Sequence, residues 1–396
     1  MIKKFKGGEN IKNIYLILIL SIVFILSLNF AFASDNINNT ALSIDDDSST
    51  VLENSQQDFL NTGEGSFADL KNDIDAASGE VTLNKSYIYT SGVDSGGDGI
   101  KISKPITIDG NGNTIDANHL SRVFNIKSND VVIKNVTFIN GNASGVGGAI
   151  YAGGYMHNLS LIDCKFINNT ASPTKNDEDN TISQGGAIYL YVYNNVTIVN
   201  CSFYNNTASQ YGGAITYIGS SYNSIDNCDF NGNTAPDGGA IAYWALNIVD
   251  RSDLSAESNN NSINNCNFNG NTAQSTPHEL FGDIIYDDGK GGAIFSSDTS
   301  WYNKIDNCNF NGNDGALGGA IFWDMAHSGG VANCNFTDNT ALEYGGAILW
   351  SVSENGSIDN CNFNNNTANE NGGAIYWWAS YDGTVDNYPQ SPIFII

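Results

Sequence analysis

Seven cysteines carry the widest chemical repertoire in this sequence, because a thiolate can attack, bind a metal or form a disulfide. They stand at Cys164, Cys201, Cys228, Cys266, Cys308, Cys334 and Cys361, never as a close pair. Redox and zinc motifs need spacings such as C-x-x-C, which is absent. Acid–base chemistry is as thinly supplied. The chain has two arginines, Arg122 and Arg251, and Arg251 beside Asp250 and Asp253 is the one basic group set among acids as a metal-assisted lyase would require. A glycosidase needs two carboxylates across one cleft, and no acidic pair stands apart from its surroundings. G-x-S-x-G and H-E-x-x-H are also missing. No catalytic residue, metal ligand or cofactor site is expected.

Two further groups of residues are candidates for binding. Acids gather in "SPTKNDEDNTISQ" (Ser172–Gln184: Asp177, Glu178, Asp179) and "QSTPHELFGDIIYDDGK" (Gln274–Lys290: Glu279, Asp283, Asp287, Asp288, with His278). They read as solvated loop acids, with loosely held calcium or another ligand as the alternative. Asp45–Asp47 lacks the Gly turn and following Glu of a calcium loop, and reads as a solvated run. Aromatics follow each Gly-Gly-Ala-Ile in two columns: Tyr151, Tyr189, Phe295, Phe322 and Tyr376, then Tyr217, Tyr243, Trp323, Trp350 and Trp377 one residue on. Adjacent strand positions face opposite sides. If the isoleucine points inward, the first column is exposed as a ladder that stacks on sugar rings or grips a protein. The alternative is that aromatics merely suit strands and pair between coils.

The elements that position these residues are set by a repeat. GGAI occurs eight times, from Gly147, Gly185, Gly212, Gly238, Gly291, Gly318, Gly345 and Gly372. Once three insertions are removed, the period is 27 residues. Each unit holds short runs of Ile, Val, Phe, Tyr and Trp split by Asn, Gly and Asp, without the L-x-x-L-x-L of a leucine-rich repeat. Short strands at a fixed period without crossover helices imply an all-β, right-handed parallel β-helix with about three strands per coil. In N-C-x-F, Cys and Phe share one strand face, so the cysteines stack about 4.8 Å apart. That column reads as a buried core stack, with some disulfides or a metal as lesser alternatives. Val136 in "NVTF" fills the same slot. The asparagine before each cysteine suits a left-handed bend and a bond to the next coil. The Gly pair suits a second corner.

The ends differ in character. Four lysines precede an apolar run, Ile14–Leu28, and an A-x-A pattern at Ala31–Ala33, so residues 1–33 read as a signal peptide cleaved between Ala33 and Ser34. Residues 34–62 read as a flexible acidic spacer. Residues 63–130 supply the cap and first coils, with a capping helix over Ser66–Ser78, and residues 131–396 the repeats, ending without a visible cap, as a truncated chain would. Formal net charge is −26, and −29 without residues 1–33, which argues against nucleic-acid partners. N-x-S/T triplets, such as those at Asn135, Asn158, Asn195, Asn335 and Asn355, permit glycosylation.

The GGAI and F-x-x-N pairing, seen as "FINN" (Phe166–Asn169), "FYNN" (Phe203–Asn206), "FTDN" (Phe336–Asn339) and "FNNN" (Phe363–Asn366), resembles the repeats of chlamydial polymorphic membrane proteins. With "ISKPITIDGNGNTIDA" at Ile102–Ala117, the chain looks closer still to adhesin-like β-helix proteins of methanogenic archaea. The resemblance implies export, display at the cell surface or envelope, and adhesion to glycans or surface proteins of another cell by a monomeric rod. A polysaccharide-active enzyme of pectate-lyase or glycosidase type, or a purely structural envelope protein, are the other expectations.

Overall fold

A computed structural model describes residues 63–94, 97–175, 181–245, 257–276, 288–297, 300–380 and 382–386, with the backbone of the short strands His278–Leu280, Asp283–Ile285 and Ile393–Ile395. The chain divides into Met1–Asp58 and Phe59–Ile396, and all described residues belong to the second unit. The signal segment with Ala33 and Ser34, the spacer, Asp177, Glu178, Asp179, Asp250, Arg251, Asp253 and Asp287 lie outside the described residues.

Helix α1, Phe67–Ala76, closes one end of the coil stack. It starts at Ser66, whose Oγ accepts the Asp69 N–H (3.1 Å) while the Asp69 carboxylate accepts the Ser66 N–H (2.9 Å), a reciprocal capping box. Asp94 accepts the next two free N–H groups, of Phe67 and Ala68. Phe67, Leu70 and Ile74 then face down into the core, where they cover strand ends that would otherwise be open.

Beyond the helix, successive coils pair in parallel, residue on residue. Ile215 pairs with Ile241, and Ile241 with Ile294; Phe203 pairs with Phe230, and Phe230 with Phe268. Antiparallel pairs occur in two insertions, between Thr174–Lys175 and Thr181–Ile182 and between His278–Leu280 and Asp283–Ile285. Most repeat coils have four strand segments rather than three, for example Ile215–Ile218, Ser224–Asp226, Asp229–Asn231 and Thr234–Ala235. The extra one comes from bending. The strand runs unbroken over Ile150–Ile162 and Ile188–Val199. In the next coil it divides into Ile215–Ile218 and Ser224–Asp226, about a bend that holds a left-handed residue in all three coils (Asn158, Asn195 and Tyr222). The architecture is a parallel β-helix, and the crossover rule makes it right-handed.

The core is built from columns. All seven cysteines are buried and unpaired by disulfides. The Cys201 N–H donates to Cys228 Sγ (3.3 Å), and the Cys201 thiol donates to the Val199 carbonyl (3.3 Å). Hydrogen bonding along the column and burial hold the Cys201, Cys266 and Cys361 thiols well above their ordinary value. Beside them, rings stack from Phe138 through Phe166, Phe203, Phe230, Phe268, Phe310 and Phe336 to Phe363, centroids 4.7–4.9 Å apart. Each buried ring contributes about 1.5–3 kcal/mol, so these columns outweigh any surface ion pair.

Two asparagine ladders hold the corners. Asn200, Asn227, Asn265, Asn307, Asn333 and Asn360 all have φ near +50°, and amides bond from coil to coil, as from Asn227 to Asn200 (2.6 Å). The second ladder is internal: Asn169, Asn206, Asn233, Asn271, Asn313 and Asn339 are buried. Asn233 Oδ1 accepts both the backbone N–H and the amide of Asn206, and its own Nδ2 donates to Asn271 (2.9 Å) and the Phe203 carbonyl (3.0 Å). In Gly-Gly-Ala-Ile the two glycines have separate reasons. The first has φ of +60° to +69°. The second abuts the carbonyl of its counterpart one coil on, as Gly186 does Gly213, where a Cβ would collide. At the far end Ile393–Ile395 pairs with Ile375–Trp377.

Candidate ligand-binding surface

The first aromatic column does not form an exposed ladder. The GGAI isoleucines do point inward, yet Tyr189, Phe295, Phe322 and Tyr376 are at most 9% exposed, and Tyr151 is half-buried. Tyr189 packs between Tyr151 (5.8 Å) and Tyr191 (6.4 Å), and for Phe295, Phe322 and Tyr376 the reason lies at the Gly-Gly corner. Residues just before it, Tyr211, Leu317 and Tyr344, fold back over the column with Trp244, giving a second apolar cluster outside the main core. Tyr344 lies 4.8 Å from Tyr376, and Tyr211 6.3 Å from Phe295. Tyr151 is covered instead by cations, with Lys127 Nζ 4.1 Å and the Arg122 guanidinium 5.4 Å from its ring. The second column faces the main core, where Trp323, Trp350 and Trp377 stack at 4.6 and 5.0 Å.

The acidic insertions bring no ligand cage together among the described residues. Asp288 is used locally, accepting the N–H and hydroxyl of Thr276 (both 2.8 Å). Groups of three or more His, Cys, Asp or Glu placed for one metal ion do not occur among the described residues. Arg122 is buried, bonded to Asp98 (2.7 Å) and the Gly147 carbonyl (2.9 Å), so it closes a corner and has no free face.

Exposed aromatics occur elsewhere, at a corner that sequence reasoning passes over. Six residues before each cysteine the chain turns through a left-handed residue: Asn158, Asn195, Tyr222, Asn260, Tyr302, Ser328 and Asn355, and Asp382 continues the column one coil on. Asn, Asp and Ser tolerate this conformation, whereas for tyrosine it costs roughly 1–2 kcal/mol. Tyr222 (64%) and Tyr302 (51%) are exposed, so little packing offsets that cost. Trp301, beside Tyr302, packs against His327 with the rings tilted by 44° (4.6 Å between centroids). The signal is present in the sequence, two tyrosines in an Asn column, but it shows only once the column is known to be left-handed.

The sheet face next to this corner carries a cleft of about 410 Å³. Its floor is Gly330 and Ala332, the outward pair of one coil. The preceding coil presents Lys304 and Asp306 in register, and the following coil Ser357 and Asp359. Two small residues between two polar pairs leave a trough one coil wide. Ser328 and Asn355, which continue the Tyr302 column, close its corner end.

Residues 163–191, 200–216, 265–297, 333–349 and 360–376 match the Chlamydia polymorphic membrane protein (Chlamydia_PMP) repeat. No curated protein sequence matches the chain. Among solved structures, PfbA, a surface adhesin of Streptococcus pneumoniae, is similar over 82% of this chain and 81% of its own, with 13% identity and a TM-score of 0.45. The alginate lyase AlyF-OU02 is similar over 83% of both chains (11% identity, TM-score 0.41). A GH87 α-1,3-glucanase catalytic domain is similar over 78% of this chain and 58% of its own (10% identity, TM-score 0.40). Five segments of this parallel β-helix are thus similar to the chlamydial polymorphic membrane protein repeat.

Proposed function

We propose that the protein is exported and works at the cell surface as an adhesin-like binding rod for glycans or surface molecules of another cell. The observation that carries this reading is the repeat itself, which matches that of a membrane protein family and places its chemistry-capable cysteines inside the core. What remains outside is a polar face of Asn, Asp, Ser and Thr suited to hydrogen bonding. The high negative charge suits a displayed protein and disfavours anionic partners. Cleavage between Ala33 and Ser34 belongs to the same reading, and N-terminal sequencing of the secreted chain tests it.

A second reading, an enzyme acting on polysaccharide, has one observation in its favour. Asp306 and Asp359 flank Ala332 from the coils on either side, about 9–10 Å apart by strand spacing, near the separation of an inverting glycosidase pair. One experiment separates the readings: purified protein is incubated with intact cells and with a polysaccharide panel, with calcium present, and both binding and product release are measured. Binding without release supports adhesion. Release abolished by Asp306→Asn or Asp359→Asn replaces it with catalysis.

A further inference from the structure

Of three exposed tyrosines with left-handed backbone, Tyr155, Tyr222 and Tyr302, the last two share one corner column, and the trough lies beside its continuation. We propose that the corner bearing Tyr222 and Tyr302, continued by the trough over Gly330 and Ala332, is a binding strip for an uncharged glycan chain lying parallel to the helix axis. The inference rests on the binding reading above and names the ligand class.

Geometry supplies the first argument. Asn260 lies between the two tyrosines in register, so they are two coils apart, about 9.6 Å by strand spacing. That interval is comparable to the length of a disaccharide, so alternate sugars of an extended chain meet successive rings. Aromatic faces suit this role because they bury the C–H face of a sugar at small cost in side-chain order. The left-handed corner supplies the second argument. Asparagine holds this position in the coils at Asn158, Asn195, Asn260 and Asn355, so a tyrosine there carries a backbone cost while its ring stays more than half exposed, with Tyr302 lying 6.2 Å from Trp301 between ring centroids. A backbone cost kept at two exposed rings on one line points to a contact made outside the fold.

The trough supplies the third. It starts one coil beyond Tyr302, at Ser328, and its volume of about 410 Å³ is in the range of ligand clefts. Its walls offer Lys304 as donor, Ser357 as donor and acceptor, and carboxylates that accept from hydroxyls. Asp306 Oδ1 already accepts the Asn333 amide (2.6 Å), which fixes the carboxylate in place. Charge then narrows the ligand. With one lysine against two carboxylates in a chain of net charge −26, uronate, sulfate and phosphate polymers are repelled.

The test uses the full chain and the variants Tyr222→Asn and Tyr302→Asn, singly and together. Asparagine already occupies this corner in four coils, so the variants fold, and their melting temperature is expected to equal or exceed that of the parent. The probes are soluble neutral glucans, mannans, xylans and galactans, with alginate and polygalacturonate as anionic controls and chitosan oligomers as the cationic control. Binding to at least one neutral polymer is expected, insensitive to salt, with each variant weakening it about tenfold and the double variant abolishing it. Ala332→Lys, which fills the trough from outside the core, is expected to weaken it as well. Neutral-polymer binding that survives in the double variant overturns the strip but leaves adhesion standing. Binding confined to chitosan and lost in salt overturns it in favour of ion exchange. Binding to cells with no polymer bound overturns the glycan and points to a protein receptor.

Discussion

Gly356 lies against the indole of Trp350 so closely that a Cβ on the glycine would overlap the ring. The same holds for Gly329 with Trp323 and Gly383 with Trp377, six residues apart each time. Where the column holds tyrosine, at Tyr217, the partner position is Asn223, whose Oδ1 accepts the Val196 N–H. Tryptophan and glycine are therefore one unit of packing, and tyrosine and asparagine another. Gly356→Ala is expected to destabilise the protein by about 1–3 kcal/mol through overpacking, read as a lowered melting temperature. Trp350→Tyr in the same chain is expected to recover at least half of that loss. Equal stability of Gly356→Ala and the parent would show that the indole moves aside without cost.

The internal asparagine ladder gives a sharper contrast. Asn233→Ala removes the acceptor of two donors on Asn206 and leaves the Phe203 carbonyl without its amide partner, all buried. Unsatisfied buried groups cost about 1–3 kcal/mol each, so a loss of about 3 kcal/mol or more is expected. Asn227→Ala, on the solvent-facing ladder, loses one exposed bond and the tolerance of a positive φ, about 1–2 kcal/mol. Denaturant melts of the two variants rank them, and the reverse order would mean that water replaces the inner ladder.

The cysteine column is expected to be chemically silent. All seven thiols are buried, and parallel side chains at strand spacing stand farther apart than the roughly 3.8 Å between Cβ atoms that a disulfide needs. A thiol reagent should therefore find no reactive group in the native chain and seven after denaturation. Cys228→Val is expected to cost less than about 1.5 kcal/mol as a near-isosteric apolar exchange, since Val136 already holds the slot in an earlier coil. Fewer than seven thiols on denaturation would reveal bridging.

Much of this architecture is legible in the sequence, because a repeat states each constraint many times over. The period, the cysteine column, the left-handed asparagines and the Ser66 cap all follow from residue types at fixed spacing. The exposed aromatic ladder fails for a definite reason. Alternation along one strand places Phe295 and Phe322 outside the main core, but it says nothing about Tyr211 and Leu317, which return from the Gly-Gly corner to cover them. The Tyr222–Tyr302 corner stays hidden because sequence shows a departure from the repeat without showing the backbone angle that makes it costly. Local periodicity reads a strand's faces well and reads badly what the corners fold over them.

Asp237 provides a pH-dependent test of one such corner. It is almost fully buried beside Lys290, whose N–H donates to its carboxylate (3.1 Å), and burial pushes its pKa from the ordinary 3.8 up to about 6 despite the attraction of Lys290. A raised carboxyl value means that the folded chain holds the proton more tightly than the unfolded chain. The favourable contribution is thus complete below the unfolded value, and it is lost as pH rises through about 6. A rise from 3.8 to about 6 corresponds to about 3 kcal/mol. Asp237→Asn keeps an acceptor for the Lys290 N–H and cannot ionise. Its stability relative to the parent is therefore expected to rise between about pH 4 and pH 7, by at most about 3 kcal/mol, measured as the difference in melting temperature across that window. A constant difference between the two proteins over the same range would mean that Asp237 is ionised throughout, with water or Lys290 solvating its charge at the corner.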